Sequence, residues 1–117
     1  MNIRLTIEAS AQLDMMRFTR TPQAGFIVGD CIGAFEIVNL LVPASLEAKE
    51  LQRHYVKALE LYGSRLLGVF FIGCEPFADH WFGEDLVLAA DENRLQYFMC
   101  EASAEGARLV PIIHWEE

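Results

Sequence analysis

Seven consecutive residues, Leu66-Leu67-Gly68-Val69-Phe70-Phe71-Ile72, carry no charge and no polar side chain. A run of this length is too short for an amphipathic helix and far too short for a membrane span. Its branched and aromatic residues suit a strand buried on both faces. Burying Phe70, Phe71 and Ile72 would each contribute about 1.5–3 kcal/mol before entropy is counted, which makes this run the centre of a core. A strand covered on both faces needs layers above and below it. The run therefore predicts a sheet with flanking helices.

The rest of the chain supplies those layers. Residues 3–8 alternate, with Ile3, Leu5 and Ile7 on one side and Arg4, Thr6 and Glu8 on the other, which predicts a half-buried strand. Ser10 is placed to cap a helix over roughly 11–20, with Leu13, Met16 and the stem of Arg20 on its inner side, and Pro22 and Gly25 marking its exit. Residues 24–29 and 34–42 read as two strands joined through Asp30-Cys31-Ile32-Gly33, and Pro43 stops the second. A helix over 45–62 follows, capped by Ser45 and ended by Gly63, with Leu51, Tyr55, Leu59 and Tyr62 as its apolar stripe. Beyond the uncharged run come a loop, a short segment from Asp85 that reads as a helical piece, and strands near 95–101 and 108–115. Pro111 demotes the last of these to an edge or marks a bulge in it. The expectation is a single α/β domain over residues 1–117: a mixed β-sheet with flanking helices in the order β-α-β-β-α-β-(α)-β-β.

Charge narrows the function classes. The formal net charge is −8, yet residues 1–74 balance seven acidic against seven basic side chains. Residues 75–117 hold ten acidic side chains against Arg94 and Arg108, and so carry the whole excess. Such a field opposes phosphate backbones and anionic lipid surfaces, and no basic stripe interleaved with aromatics exists; nucleic acid and membrane are not the expected partners. Cys31, Cys74 and Cys100 form an odd set without Cys-x-x-Cys spacing, which argues against a disulfide scaffold or a zinc knuckle. The polar opening and the lack of a long apolar run make the cytoplasm the default location. The scattered glycines form neither Gly-x-Gly-x-x-Gly nor a phosphate loop, so no cofactor is expected.

Functional side chains concentrate in one loop, where Cys74, Glu75, Asp79, His80, Glu84 and Asp85 fall within twelve residues. Ligands collect beyond the ends of central strands in open α/β sheets, and Cys74 lies just past such a strand. Cys74, His80 and Asp85 offer either a nucleophile, base and orienter or three metal ligands. The plainer alternative packs Cys74 as a small apolar group and leaves the others in water. Trp81 and Phe82, followed by Gly83, cannot both turn inward easily. One of them is a candidate interface anchor, or else Trp81 closes the sheet edge.

Certain of these segments resemble a known family. Gln23-Ala24-Gly25-Phe26-Ile27-Val28-Gly29 resembles the glycine-bounded strand after the first helix of JAB/MPN domains, the JAMM metalloprotease-like superfamily. Leu67-Gly68-Val69-Phe70 is similar to its central strand, and the Pro76-to-Leu86 loop ending in Glu84-Asp85-Leu86 to the segment that follows it. The helix over 45–62 falls where the family has its second helix, and the resemblance spans roughly residues 3–115. It implies an MPN/cytidine-deaminase-like fold. In active members two histidines of an H-x-H pair and an aspartate hold zinc, and a glutamate serves as general base. Here the glutamate place falls at Pro22 and the histidine places at Phe71 and Gly73. The place of the expected serine is Phe82, and Asp85 matches the aspartate after a one-residue adjustment. Zinc needs three protein donors and an open water position, and a lone aspartate cannot supply them. The resemblance thus implies a divergent member without the metal-binding motif.

Two functional classes follow. One is a non-catalytic MPN-like interaction or structural domain that pairs with a protein partner or with itself, using Trp81 and Phe82 ringed by Glu75, Asp79 and Glu84. The other is a small hydrolase or metal-dependent enzyme using Cys74, His80 and Asp85.

Overall fold

The computed structural model describes residues 2–19, 21–76, 86–103 and 106–112. Strand β1 (Asn2–Leu5) leads directly into helix α1 (Ile7–Phe18), whose cap is Thr6 rather than Ser10. The Thr6 hydroxyl accepts from the Ala9 amide at 3.2 Å, and the Ser10 amide already donates to the Thr6 carbonyl, so Ser10 lies inside the first turn. The alternation of residues 3–8 overstated the strand because Ile7, its last apolar member, is 87% exposed on the outside of the helix. Ala9, Leu13 and Met16 form the buried side of α1; Arg20 lies outside the described residues.

Strands β2 (Gln23–Ile32) and β3 (Phe35–Pro43) form the expected hairpin, with β2 running three residues further towards the turn than expected and β3 starting one residue later. Asp30, Cys31 and Ile32 are paired strand residues, and Gly33 and Ala34 alone make the connection. Gly33 has φ of 59°, the left-handed geometry that a two-residue hairpin turn demands and glycine accepts without strain. Helix α2 (Ala48–Tyr62) begins three residues later than expected, after Glu47. Ser45 instead folds the approach, accepting from the Glu47 amide at 3.1 Å and donating to Glu50 Oε2 at 3.0 Å. The buried side of α2 runs Leu51, Tyr55, Ala58 and Tyr62, while Leu59 is turned to solvent. Position 58 keeps closer to the average helical repeat along this line than 59 does.

Strand β4 (Leu66–Ile72) occupies the uncharged run as expected. The segment after Asp85 is not helical: β5 (Leu86–Ala90) is a strand parallel to β4, with Gly68 opposite Leu86 and Ile72 opposite Ala90. Five apolar residues are too few to stabilise a helix by themselves, and the β4 edge offers a full ladder of hydrogen bonds. Strands β6 (Leu95–Ser103) and β7 (Gly106–Pro111) complete an antiparallel meander. Among the described residues β7 is an outer strand, and Pro111 closes it where a missing amide does least harm.

The sheet is mixed, in the order β1-β3-β2-β4-β5-β6-β7, with β1–β3 and β4–β5 the parallel pairs. It curls around α1: Ile3 of β1 and Tyr97 of β6 belong to one buried cluster with Leu13 and Phe70, although their strands stand far apart in sheet order. Helix α2 covers the opposite face, over Ala24, Phe26, Val69, Phe71 and Val87. Two register shifts serve this arrangement. Between Gly29 and Val28 the partner strand β3 skips Asn39, and between Ile27 and Val28 the partner strand β4 skips Leu67. Each extra residue resets the alternation. Val38 and Leu41 can thus share the α1 face, and Leu66 and Val69 the α2 face, despite odd spacing. No helix among the described residues is long and apolar enough to cross a membrane.

Candidate functional site

The chemistry-bearing residues gather past the end of β4. Gly73 leaves the strand with φ of 69°, and its amide donates to the Ala90 carbonyl at 2.8 Å, holding the ends of β4 and β5 together. A Cβ added at Gly73 would lie 3.7 Å from the Pro22 Cα. Residues 22 and 73 are therefore neighbours across the β2–β4 pair, in which Gln23 opposes Ile72. Phe71 is fully buried beneath α2.

Cys74 follows, half-buried, its thiol donating to the Gln23 carbonyl at 3.8 Å. Burial pushes the thiol pKa upward, the neighbouring Glu75 charge adds to this, and a backbone hydrogen bond involving Ile72 opposes it. At neutral pH the sulfur is thus held in its protonated, weakly nucleophilic form. Cys74 and Glu75 open onto a cavity of about 410 Å³ whose far side carries Asp91, Arg94, Gln96 and Phe98.

The turn between β5 and β6 builds that far side. One carboxylate oxygen of Asp91 accepts from the Asn93 and Arg94 amides at 2.7 and 2.8 Å, an Asx-type turn. These two bonds, with smaller help from the Arg94 and Arg17 charges, hold the Asp91 carboxyl below its ordinary value. Arg94 donates to Gln96 Oε1 at 2.9 Å, and Arg17 from the end of α1 donates to the Asp91 carbonyl at 2.8 Å. The turn is thereby pinned to α1, and its charged groups are spent largely on its own geometry.

Of the residues singled out from the sequence, Cys74 and Glu75 lie on this cavity. Asp79, His80, Trp81, Phe82, Glu84 and Asp85 lie outside the described residues. Asp91, Arg94 and Gln96 escaped the sequence reading. The signal for them was the polar Asp91-Glu92-Asn93-Arg94 break between two apolar runs, which marks a hairpin turn opposite the end of β4. No group of three or more His, Cys, Asp and Glu side chains suited to a metal ion occurs among the described residues.

No protein-family model and no curated protein matches this chain. Among solved structures it is similar to the solution structure of protein DSY2949 from Desulfitobacterium hafniense, a structural genomics target, at 18% identity. That likeness covers 98% of this chain and 94% of the other, with a TM-score of 0.59. At this identity the likeness shows one thing: the two chains share a fold.

Proposed function

We propose that this chain is an MPN-like domain without the family's hydrolytic centre, and that it works as a protein-interaction module. The observation that carries the reading is the proximity of Pro22 to Gly73, just past the Gln23–Ile72 pair at the end of β4. In the resemblance these are the places of the general base and the second histidine, which must face one another across a metal-bound water. They are adjacent here, just before β2 and just after β4, and neither side chain can donate to a metal. The remaining histidine place is Phe71, which is buried and contributes to the α2 layer. On this reading the donors of the family's site are replaced by residues suited to packing and turning.

The loop that follows then has no zinc to serve. Trp81 or Phe82 supplies an apolar anchor, and Glu75, Asp79 and Glu84 the polar surround that a transient interface uses. Cys74, the accessible end of the alternative Cys74–His80–Asp85 chemistry, has its thiol pushed away from the reactive thiolate. That supports association over turnover.

Two measurements on the purified chain test the reading. Elemental analysis is expected to find far less than one zinc per chain. A full equivalent that resists dialysis, and is lost on Asp85→Ala, would overturn it. Trp81→Ala is expected to reduce partner capture or self-association, followed by analytical ultracentrifugation, while the melting temperature holds. Lost stability with unchanged association would make Trp81 a core residue and remove the interface.

A further inference from the structure

The edge of the sheet at β1 has the chemistry of a strand that expects a second neighbour. The Asn2 amide and, just past the strand, the Thr6 amide donate to the Ala34 and Val38 carbonyls. The even-numbered residues of β1 therefore turn their backbone groups towards β3. Ile3 and Leu5 turn theirs away, and among the described residues no strand pairs with β1 on that side. Yet Ile3 is wholly buried. A buried amide and carbonyl left unpaired cost as much as a lost hydrogen bond, so this edge calls for the backbone of a further strand.

A cleft of about 410 Å³ runs along the same edge. Ile3 and Leu5 form one wall, Leu95 at the start of β6 marks the other, and α1 supplies Leu13, Asp14 and Arg17 between them. No β3 residue lines it among the described residues, which puts the cleft on the unpaired side of β1.

The chain itself arrives at this cleft. Beyond Pro111 the Ile112 amide donates to the Tyr97 carbonyl at 2.9 Å, so the chain keeps its β6 register one residue past the end of β7. Two residues further along β6 stands Leu95, in the cleft wall. We infer that residues 113–117, which lie outside the described residues, carry this register on and fill the cleft as a strand between β6 and β1. Such a strand runs antiparallel to β6 and so parallel to β1. Because Ile112 bonds towards β6, Ile113 and Trp115 bond away from it, towards Ile3 and Leu5. His114 stands opposite Leu95. It shares with Glu116 the side on which Ile112 and Leu95 pack, where Asp14 and Arg17 supply a partner of opposite character for each. A strand from another molecule must give up translational freedom to bind here, which a segment tethered at Ile112 has already lost.

Amide hydrogen exchange, followed by NMR on the full chain, tests the proposal. The Ile3 and Leu5 amides are expected to exchange as slowly as that of Arg4, which faces β3. In a chain ending at Ile112 they should speed up at least about tenfold relative to Arg4. Ile113→Pro in the full-length chain removes an amide from the β1 side and none from the β6 side. It should give an acceleration in the same direction, and it serves as the readout should the shortened chain fail to fold. Free exchange of Ile3 and Leu5 in the full chain, or protection unchanged in both variants, would overturn the proposal. So would protection that rises with protein concentration in step with dimer seen by sedimentation, because the strand would then come from a second copy.

Discussion

Gly68→Ala tests the strand that the sequence concealed. Gly68 sits between β2 and β5, opposite Ile27 on one side and Leu86 on the other. A Cβ there would run into the Leu86 carbonyl oxygen, with the carbonyl carbon and amide nitrogen of the same residue 2.6 and 2.8 Å away. These are backbone atoms of a paired strand, so no rotamer change relieves the overlap. Forcing the strands apart carries an overpacking cost of about 1–3 kcal/mol. Weakening one or two ladder hydrogen bonds adds about 1–2 kcal/mol. Against this, alanine restricts the unfolded chain and returns about 0.4–1 kcal/mol. The balance is a loss of about 1–4.5 kcal/mol, centred near 3 kcal/mol, read by urea denaturation. The control is Gly33→Ala, where φ is 59° and nothing lies within 4 Å of the added carbon. Left-handed strain of about 1–2 kcal/mol, less the same unfolded-state gain, leaves a loss near 1 kcal/mol or below. If Gly68→Ala proves as stable as the parent, or milder than Gly33→Ala, β5 does not lie beside β4 in this register.

Three further outcomes are expected. Phe71→Ala should destabilise by about 3–5 kcal/mol in the same assay, because a fully buried ring is removed from the α2 layer; a loss below about 1 kcal/mol would mean that the layer does not exist. Thr6→Ala should cost about 1 kcal/mol and Ser10→Ala much less, since Thr6 caps α1; the reverse order would restore Ser10 as the cap. Iodoacetamide at neutral pH, followed by peptide mass spectrometry, should label exposed Cys31 well before Cys74, with Cys74 catching up only above the usual thiol range. With its folded pKa raised, the Cys74 contribution to stability is complete below that range and lost as pH rises through it. Early labelling of Cys74 would contradict the burial that raises it.

The legible parts of this fold are those where local pattern and tertiary demand agree. The uncharged run became β4 residue for residue, and the helix after Pro43 and the hairpin before it were both visible. Misreadings arose where a neighbouring element decided the outcome. Leu86–Ala90 is helix-compatible by composition and is a strand because β4 stands beside it. Leu59 looks like a core residue beside Ala58, but Ala58 keeps the helical repeat with Leu51 and Tyr62 and Leu59 falls outside it. The bulges at Asn39 and Leu67 leave no mark in hydrophobic alternation except as apparent disorder in it. For the candidate site, Cys74 and Glu75 were visible as polar residues past a buried strand. The opposite wall was not, because Asp91 and Arg94 reach it only through the pairing of β5 with β6.

The parallel pairing of β4 with β5 also divides the chain by the order in which it can assemble. The β2–β3 hairpin closes over two residues, and β5, β6 and β7 follow one another as a meander, so each block needs only short loops to close. Joining the blocks requires the β4–β5 crossover, a parallel contact that neither makes alone. Both pairings of β4 span intervening chain, 18 residues to β5 and 38–49 to β2, and such non-local contacts are entropically dear and slow to form. The meander's apolar residues, Leu86 and Leu88 among them, are therefore shielded only after β4 is in place. During synthesis β4 emerges first and waits with one edge unpaired, and an uncharged edge is a template for another chain's strand. The same seven residues that organise the finished core are in this sense the chain's principal aggregation hazard before it is finished.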